Sequence, residues 1–329
     1  MFENNDKIMV SICCITYNQE KYIAEAIESF LMQKTNFKYE ILIHDDASTD
    51  NTVKIIKSYE EKYPELIKPI YQKENQYSQG KSPLENLYGI AQGKYIAICE
   101  GDDYWIDKDK LQIQFDYMEK NPDCGGCFHG GECRSARTGK KNNTITPYKE
   151  DKVLTPNETI PGGGGLVPTN SIFCKAELLK NFPEFYKGRS VEDYQIQIHI
   201  SANKYAYYMS KIMSVYRVEV PGSWTMSVKQ NTKEERIAGI NKVKNILREF
   251  NKYSNGMYSK AVNSSIRWLE FEEEVIINKK INKIKEEKYR EVYNKMKKKE
   301  KIKIYLEYYF PNLNIIIKNI YKFIKSLKG

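Results

Sequence analysis

The feature that most constrains this chain is a repeated change of hydrophobic period within its first hundred residues. Residues 8 to 16, IMVSICCIT, are apolar and β-prone with few polar breaks, as a strand buried on both faces requires. After Tyr17 and Asn18 the spacing becomes helical, with Ile23, Ala26, Ile27, Phe30 and Leu31 on one face. Tyr39 to Ile43 is a second strand pattern, followed by a helix carrying Val53, Ile56 and Tyr59 that Ser48, Thr49 or Asp50 can cap. Leu66 to Tyr71, Leu84 to Ala91 and Tyr95 to Cys99 continue as strand, helix and strand. Strands joined through helices by short connections predict a mostly parallel sheet covered by helices, with ligands at the carboxyl ends of the strands.

Polar residues collect at those ends: Tyr17 and Asn18 after the first strand, Asp45 and Asp46 after the second, and Glu100, Asp102 and Asp103 after the fourth. Carboxylates crowded at the end of a buried strand repel one another and lose hydration. A bound cation resolves the conflict: aspartate oxygens are hard ligands suited to Mg2+ or Mn2+ held jointly with a substrate's phosphates. Gly101 would leave room for such a substrate, with Tyr104 and Trp105 as flat walls. Asp107 and Asp109 read as caps for a helix from Lys110 to Met118.

Three stretches, VSICCITYNQEKYIAEAIES, EILIHDDASTDNT and EGDDYW, in that order and spacing, resemble the inverting glycosyltransferases of family 2. The likeness extends to Val191-Glu192-Asp193-Tyr194 and Met213-Ser-Val-Tyr-Arg217. It implies an α/β GT-A fold, a Rossmann-like, mostly parallel sheet flanked by helices. Residues 1–230 would be the catalytic domain, with a nucleotide-binding half (1–123) and an acceptor-binding half (124–230); residues 231–329 would be a basic helical region. By the same resemblance Tyr17 would stack near the base, Asn18 would shape its pocket and Asp46 would accept a hydrogen bond from it. Thr16, Asp45, Lys81, Asp102, Trp105 and Trp224 would complete the nucleotide-sugar site, which typically takes a UDP-sugar. Asp103, with Asp102, would hold the metal. Asp193, beside Glu192, would be the base that deprotonates an acceptor hydroxyl for a single inverting displacement. The family often has a histidine two residues after the Tyr-Arg pair; here Glu219 stands there and would be a third metal ligand.

The remaining sequence bounds the partners. No apolar run approaches the ~18–20 residues that span a bilayer, and MFENNDKIMVSICC lacks the pattern of a secretory signal, so the expectation is a cytoplasmic protein. Cys13, Cys14 and Cys99 lie in strand-like runs, which favours reduced thiols; Cys124, Cys127, His129 and Cys133 could in composition hold zinc, but they also alternate like a strand and no second paired motif accompanies them. His44, His129 and His199 read as residues satisfying local hydrogen bonds. Gly162 to Gly165 predict a pliable wall of a cleft. The net charge of +9 collects near the C-terminus, in KKINKIK and NKMKKKEKIK. There Leu313, Ile316, Ile317, Ile320, Ile324 and Leu327 share a helical face and Lys318, Lys322 and Lys325 another, the layout of a helix on an anionic membrane surface or of one packed on its own protein or on a second copy. A glycan or lipid-linked acceptor would suit such docking. A non-catalytic sugar- or polyanion-binding protein is the competing class, but no base-reading module supports a nucleic-acid partner.

Overall fold

The computed structural model describes residues 7–186, 192–228 and 230–310. The chain divides into two units, residues 1–230 and 231–329. In the first, β1 (Ile8–Thr16) leads to α1 (Ile23–Leu31), β2 (Lys38–Asp45), α2 (Thr52–Lys62), β3 (Ile67–Tyr71), α3 (Pro83–Ile90) and β4 (Tyr95–Ile98). These are the elements the periodicity predicts, within a residue or two at their ends. A short β5 (Tyr104–Trp105), α4 (Lys110–Lys120), the long β6 (Cys124–Ser135), β7 (Lys141–Ile145), β8 (Lys152–Leu154) and α5 (Pro156–Gly162) follow. Then come β9 (Phe173–Lys175), α6 (Ala176–Lys180), α7 (Glu192–Ala202), β10 (Tyr205–Val218) and α8 (Trp224–Val228).

One sheet runs in the order β3-β2-β1-β4-β9-β6-β10-β5, with β7 added on β6 and β8 on β10. The β3-β2-β1-β4 part is parallel, and β6 is parallel to β10, whereas β9, β5, β7 and β8 pair antiparallel. The expected mostly parallel sheet is therefore a mixed one. The antiparallel strands are only two to five residues long, too short to show a period in sequence. Pairing Thr16 with Asp45 and Cys13 with Ile98 brings the ends of β1, β2 and β4 to one edge, where the order reverses between β1 and β4. That reversal is where open α/β sheets bind ligands.

The core beneath this edge is built from the apolar faces already named. Val10, Ile12, Ile41, Ile43, Tyr95 and Ala97 meet Ile23, Ala26, Ile27 and Phe30 of α1, and all are buried. All seven cysteines are buried and unpaired, Cys124, Cys127 and Cys133 lying along β6.

The second unit comprises α9 (Lys233–Tyr253), α10 (Ser259–Phe271), a π-helical turn (Glu272–Ile277), α11 (Glu287–Lys295) and α12 (Lys298–Tyr309). Thr232 and Glu235 start α9 with a reciprocal capping box. Phe271, Val275, Tyr289, Val292, Met296 and Ile304 form this unit's own core. The amphipathic face read at Leu313 to Leu327 lies outside the described residues. Among those described, no helix is long and apolar enough to cross a membrane.

Candidate active site

Three loops meet at the strand ends. The first two are bound to each other. Asn18, held at φ +52°, donates its backbone N–H to Ser48 Oγ (2.9 Å) and accepts the Thr49 N–H on its side-chain oxygen (2.7 Å). Gln19 N–H donates to Thr52 Oγ1 at 2.8 Å, and Asp46 N–H donates to the Thr16 carbonyl at 3.0 Å. This frame leaves Tyr17 with 45% of its surface exposed at the rim, an open aromatic face for stacking. Asp46 itself is buried, and its two oxygens accept the backbone N–H groups of Gln76 (2.6 Å) and Tyr77 (3.0 Å). It anchors the loop after β3, which carries the exposed Lys81. Asp45 accepts the Ser48 N–H on one oxygen, while its buried Oδ2 has no protein partner.

The third loop is the turn after β4. Gly101 is required there because a Cβ would lie 2.9 Å from Thr16 Cβ and 2.5 Å from Gln19 Oε1. The space expected for a substrate is thus taken by the protein itself. Asp103 is 1% exposed, and its oxygens accept Asn170 Nδ2 (2.9 Å) and the Arg217 backbone N–H (2.7 Å). Asn170 also donates to the Val215 carbonyl, accepts Ser214 Oγ, and receives the Trp105 indole N–H on its own carbonyl at 2.8 Å. Trp105, 1% exposed and edge-on to Phe30, is a core residue and no wall of a pocket, because its ring faces inward from β5. Asp102, by contrast, is partly exposed. The Arg217 guanidinium donates to the Asp102 carbonyl and to Glu25, and lies over Tyr104 (4.4 Å) and Tyr22 (5.2 Å). Glu100 has a buried Oε2 without a partner.

The electrostatics follow from this crowding. Burial first, then the Asp102 charge, push the Glu100 carboxyl up to about 8, with Asp193 adding to the effect and a hydrogen bond from Thr169 opposing it. Burial also raises Asp102, against the Arg217 charge, and raises Asp103, which feels both Asp102 and Glu100. Burial is the first cause for all three carboxyls, and a bound cation would favour their ionised forms.

Asp193 faces this cluster from the first turn of α7. Its Oδ1 accepts the Tyr194 N–H at 2.8 Å, and the glycine loop lies against it: a Cβ on Gly164 would come within 3.0 Å of Oδ2. Gln197 Nε2 fastens that loop by donating to the Gly164 carbonyl at 2.8 Å. Glu192 is tied elsewhere. Its Oε2 accepts Ser82 Oγ (2.7 Å), the N-cap of α3. Burial raises Asp193 and takes Glu192 up to about 7.

The structure therefore gathers Glu100, Asp102, Asp103 and Asp193, with Thr16, Tyr17 and Asn18 on the adjoining rim. It does not bring Glu219 into a metal cage. Glu219 is exposed at φ +67°, and its carboxylate accepts Ser135 Oγ at 2.5 Å. Among the described residues no three His, Cys, Asp or Glu side chains form a ready cation cage. Trp224 begins α8, and its side chain lies outside the described set. Sequence reasoning missed Asn170, Thr169, Ser82 and Glu25, each a single polar residue whose partner is far away in the chain; Glu25 and its partner Arg217 both stood in recognised stretches, but nothing in either stretch marked them as a pair.

A sheet with this order and edge is an α/β fold of the GT-A type, and known proteins share it. The chain resembles S. aureus TarS in complex with UDP-GlcNAc at a TM-score of 0.55 and 19% identity, over 73% of this chain and 66% of that one. A mannosyltransferase from Pyrobaculum calidifontis, in complex with GDP-Man and Mn2+, matches at a TM-score of 0.53 and 15% identity over 93% and 88% of the two chains. In sequence, an uncharacterized protein of Mycobacterium tuberculosis is 31% identical over 215 residues, 65% of this chain and 60% of that protein. TuaG of Bacillus subtilis, provisionally named a teichuronic acid biosynthesis glycosyltransferase, is 37% identical over 127 residues, 38% of this chain and 48% of that one. The chain spans about 60% of the length of the mycobacterial relatives. A family model described as glycosyl transferase family 2 matches residues 11–176. The chain belongs to that family.

Proposed function

We propose that this chain transfers a sugar from a nucleotide donor, a UDP-sugar, to a hydroxyl of a glycan acceptor with inversion at the anomeric carbon. The observation that carries the reading is the placement of Asp193 at the start of α7, against the Gly164 loop and near enough to Glu100 on the turn after β4 for its charge to raise that carboxyl. One side of the cleft is built for a charged donor and the other offers a base.

On the donor side, Tyr17 stacks on the base, and Asp45, whose Oδ2 is unpaired, accepts a base N–H in place of Asp46, whose oxygens are already used. Lys81 stands on the exposed loop beside the phosphates. Asp102 is the carboxylate left accessible for Mn2+ or Mg2+, which fits a cation held by one or two protein oxygens and otherwise by the diphosphate. Asp103 is occupied by the Asn170 amide and the Arg217 backbone N–H, and Glu219 by the Ser135 hydroxyl. When bound, the cation offsets negative charge developing on the departing diphosphate. Arg217, packed between two tyrosine rings and bonded to the Asp102 carbonyl, fixes the turn that presents Asp102.

On the acceptor side, Asp193 takes the proton of the attacking hydroxyl. The acceptor oxygen forms its bond to the anomeric carbon from the face opposite the diphosphate, the bond to the diphosphate breaks, and the nucleoside diphosphate leaves with the electron pair. Inversion follows from the single displacement. Glu192 positions Asp193 by tying α7 to Ser82. The likeness to TuaG supports an acceptor of the surface-polysaccharide type, and a lipid-linked saccharide is the form we favour.

The test is release of UDP or GDP from a panel of nucleotide sugars with saccharide acceptors. Acceptor-dependent release that disappears in Asp193→Asn supports the reading. Release at the wild-type rate in that variant would remove Asp193 as the base.

A further inference from the structure

Helix α12 buries very little of itself. Ile304 is its one buried residue, at 8% exposure, while Ile302, Tyr305, Leu306 and Tyr309 recur at i, i+3, i+4 and i+7 on the opposite side. Ile302 is 49% exposed, Tyr305 40% and Tyr309 60%, and Tyr308 and Phe310 beside them are exposed too. An apolar stripe of this kind on a soluble surface marks a contact site.

Its flanks say what kind. Between residues 295 and 310 stand six lysines and only two glutamates. Lys298, Lys299 and Lys303 are exposed, Lys303 only 3.9 Å from Glu307. Two copies of such a face would repel each other, so a second copy of this chain is a poor occupant. An anionic lipid surface is complementary on both counts: the lysines meet headgroups, and tyrosine rings settle at the interface with one end apolar and the other wet.

We propose that the Ile302-Tyr305-Tyr309 stripe of α12, with its flanking lysines, is a docking surface for an anionic membrane. The proposal does not depend on the transfer reaction. It would hold the chain beside a lipid-linked saccharide.

The test is co-sedimentation of the full-length protein with vesicles of equal parts phosphatidylglycerol and phosphatidylcholine, and with phosphatidylcholine alone. The wild type is expected to pellet with the anionic vesicles, much less with the neutral ones, and to be released by high salt. Ile302→Ser with Tyr309→Ser changes only exposed side chains and should lower partitioning roughly tenfold or more. Lys298→Gln with Lys299→Gln should lower it by roughly tenfold or more as well. No vesicle binding by the wild type would overturn the proposal. So would unchanged binding by the serine variant, which would place the contact elsewhere. A wild type that sediments as a dimer, with the serine variant monomeric and neither bound to vesicles, would assign the stripe to a second copy.

Discussion

Two sets of carboxylates share the mouth of one sheet and are treated in opposite ways. Asp46 and Asp103 are buried and have both oxygens filled by N–H donors of the protein. Glu100 and Asp102 share the turn after β4, Asp193 starts α7 near enough to act on Glu100, and burial raises all three. The first set is architecture: each aspartate replaces a missing backbone partner and fixes a loop. We propose that the second set meets the proton, the cation and the substrate. Acidic residues side by side in one motif, such as Asp102 and Asp103, can thus belong to different sets, and only their hydrogen-bond partners tell them apart.

The largest effect should come from the reactive set. Asp193→Asn is expected to lower transfer by ~10²–10⁴-fold while leaving the donor dissociation constant unchanged, which steady-state kinetics and titration together would show. Comparable loss of donor binding would merge the two functions that the cleft keeps apart. Asp102→Asn should remove the response of donor binding to Mn2+, whereas Asp103→Asn should chiefly destabilise the fold. If the metal response survived in the first and vanished in the second, the assignment of the two neighbours would be reversed.

Next comes an architectural residue. Asn170→Ala leaves Asp103, the Val215 carbonyl and the Ser214 hydroxyl short of a buried partner, which costs about 1–3 kcal/mol and should appear as a lower Tm with donor specificity retained. Unchanged Tm would mean that the Asn170 hub is not structural.

A pH scan separates the sets more gently. Glu100 and Glu192, raised to about 8 and about 7, hold protons more tightly folded than unfolded. Their contribution to stability is full below about pH 4.5, the ordinary carboxyl range, and is lost as pH rises through the folded values, so the metal-free protein should soften between pH 5 and 8. Because a cation favours the ionised cluster, Mn2+ should raise Tm more at pH 8 than at pH 6. A Tm rising over that range would contradict the raised values. Ser82→Ala, the smallest change, should lower kcat by a few-fold through Glu192 without altering the donor KM, about 1 kcal/mol for one hydrogen bond.

Much of the donor side was legible in the sequence because it is local: apolar runs of β1, β2 and β4 end at polar residues, and topology alone sets those ends together. Asp193 was legible only through a resemblance. The supporting shell was not, since Asn170 reaches Asp103 across 67 positions and Ser82 reaches Glu192 across 110, and no periodicity records a contact at that distance. Gly101 and Trp105 were assigned to the substrate because small and aromatic residues read alike at a pocket wall and in a packed core. The strand β10, fourteen residues long, has mixed burial along its length and so carries no clean alternation.

The central claim, a donor site at Asp102 separate from the base at Asp193, is tested most directly by isothermal titration with UDP and GDP, each in Mn2+ and in chelator. The account predicts that UDP binds in Mn2+, at least tenfold more weakly in chelator or in Asp102→Asn, and equally well in Asp193→Asn. Binding that ignores both the metal and Asp102, or that fails in Asp193→Asn, would contradict it.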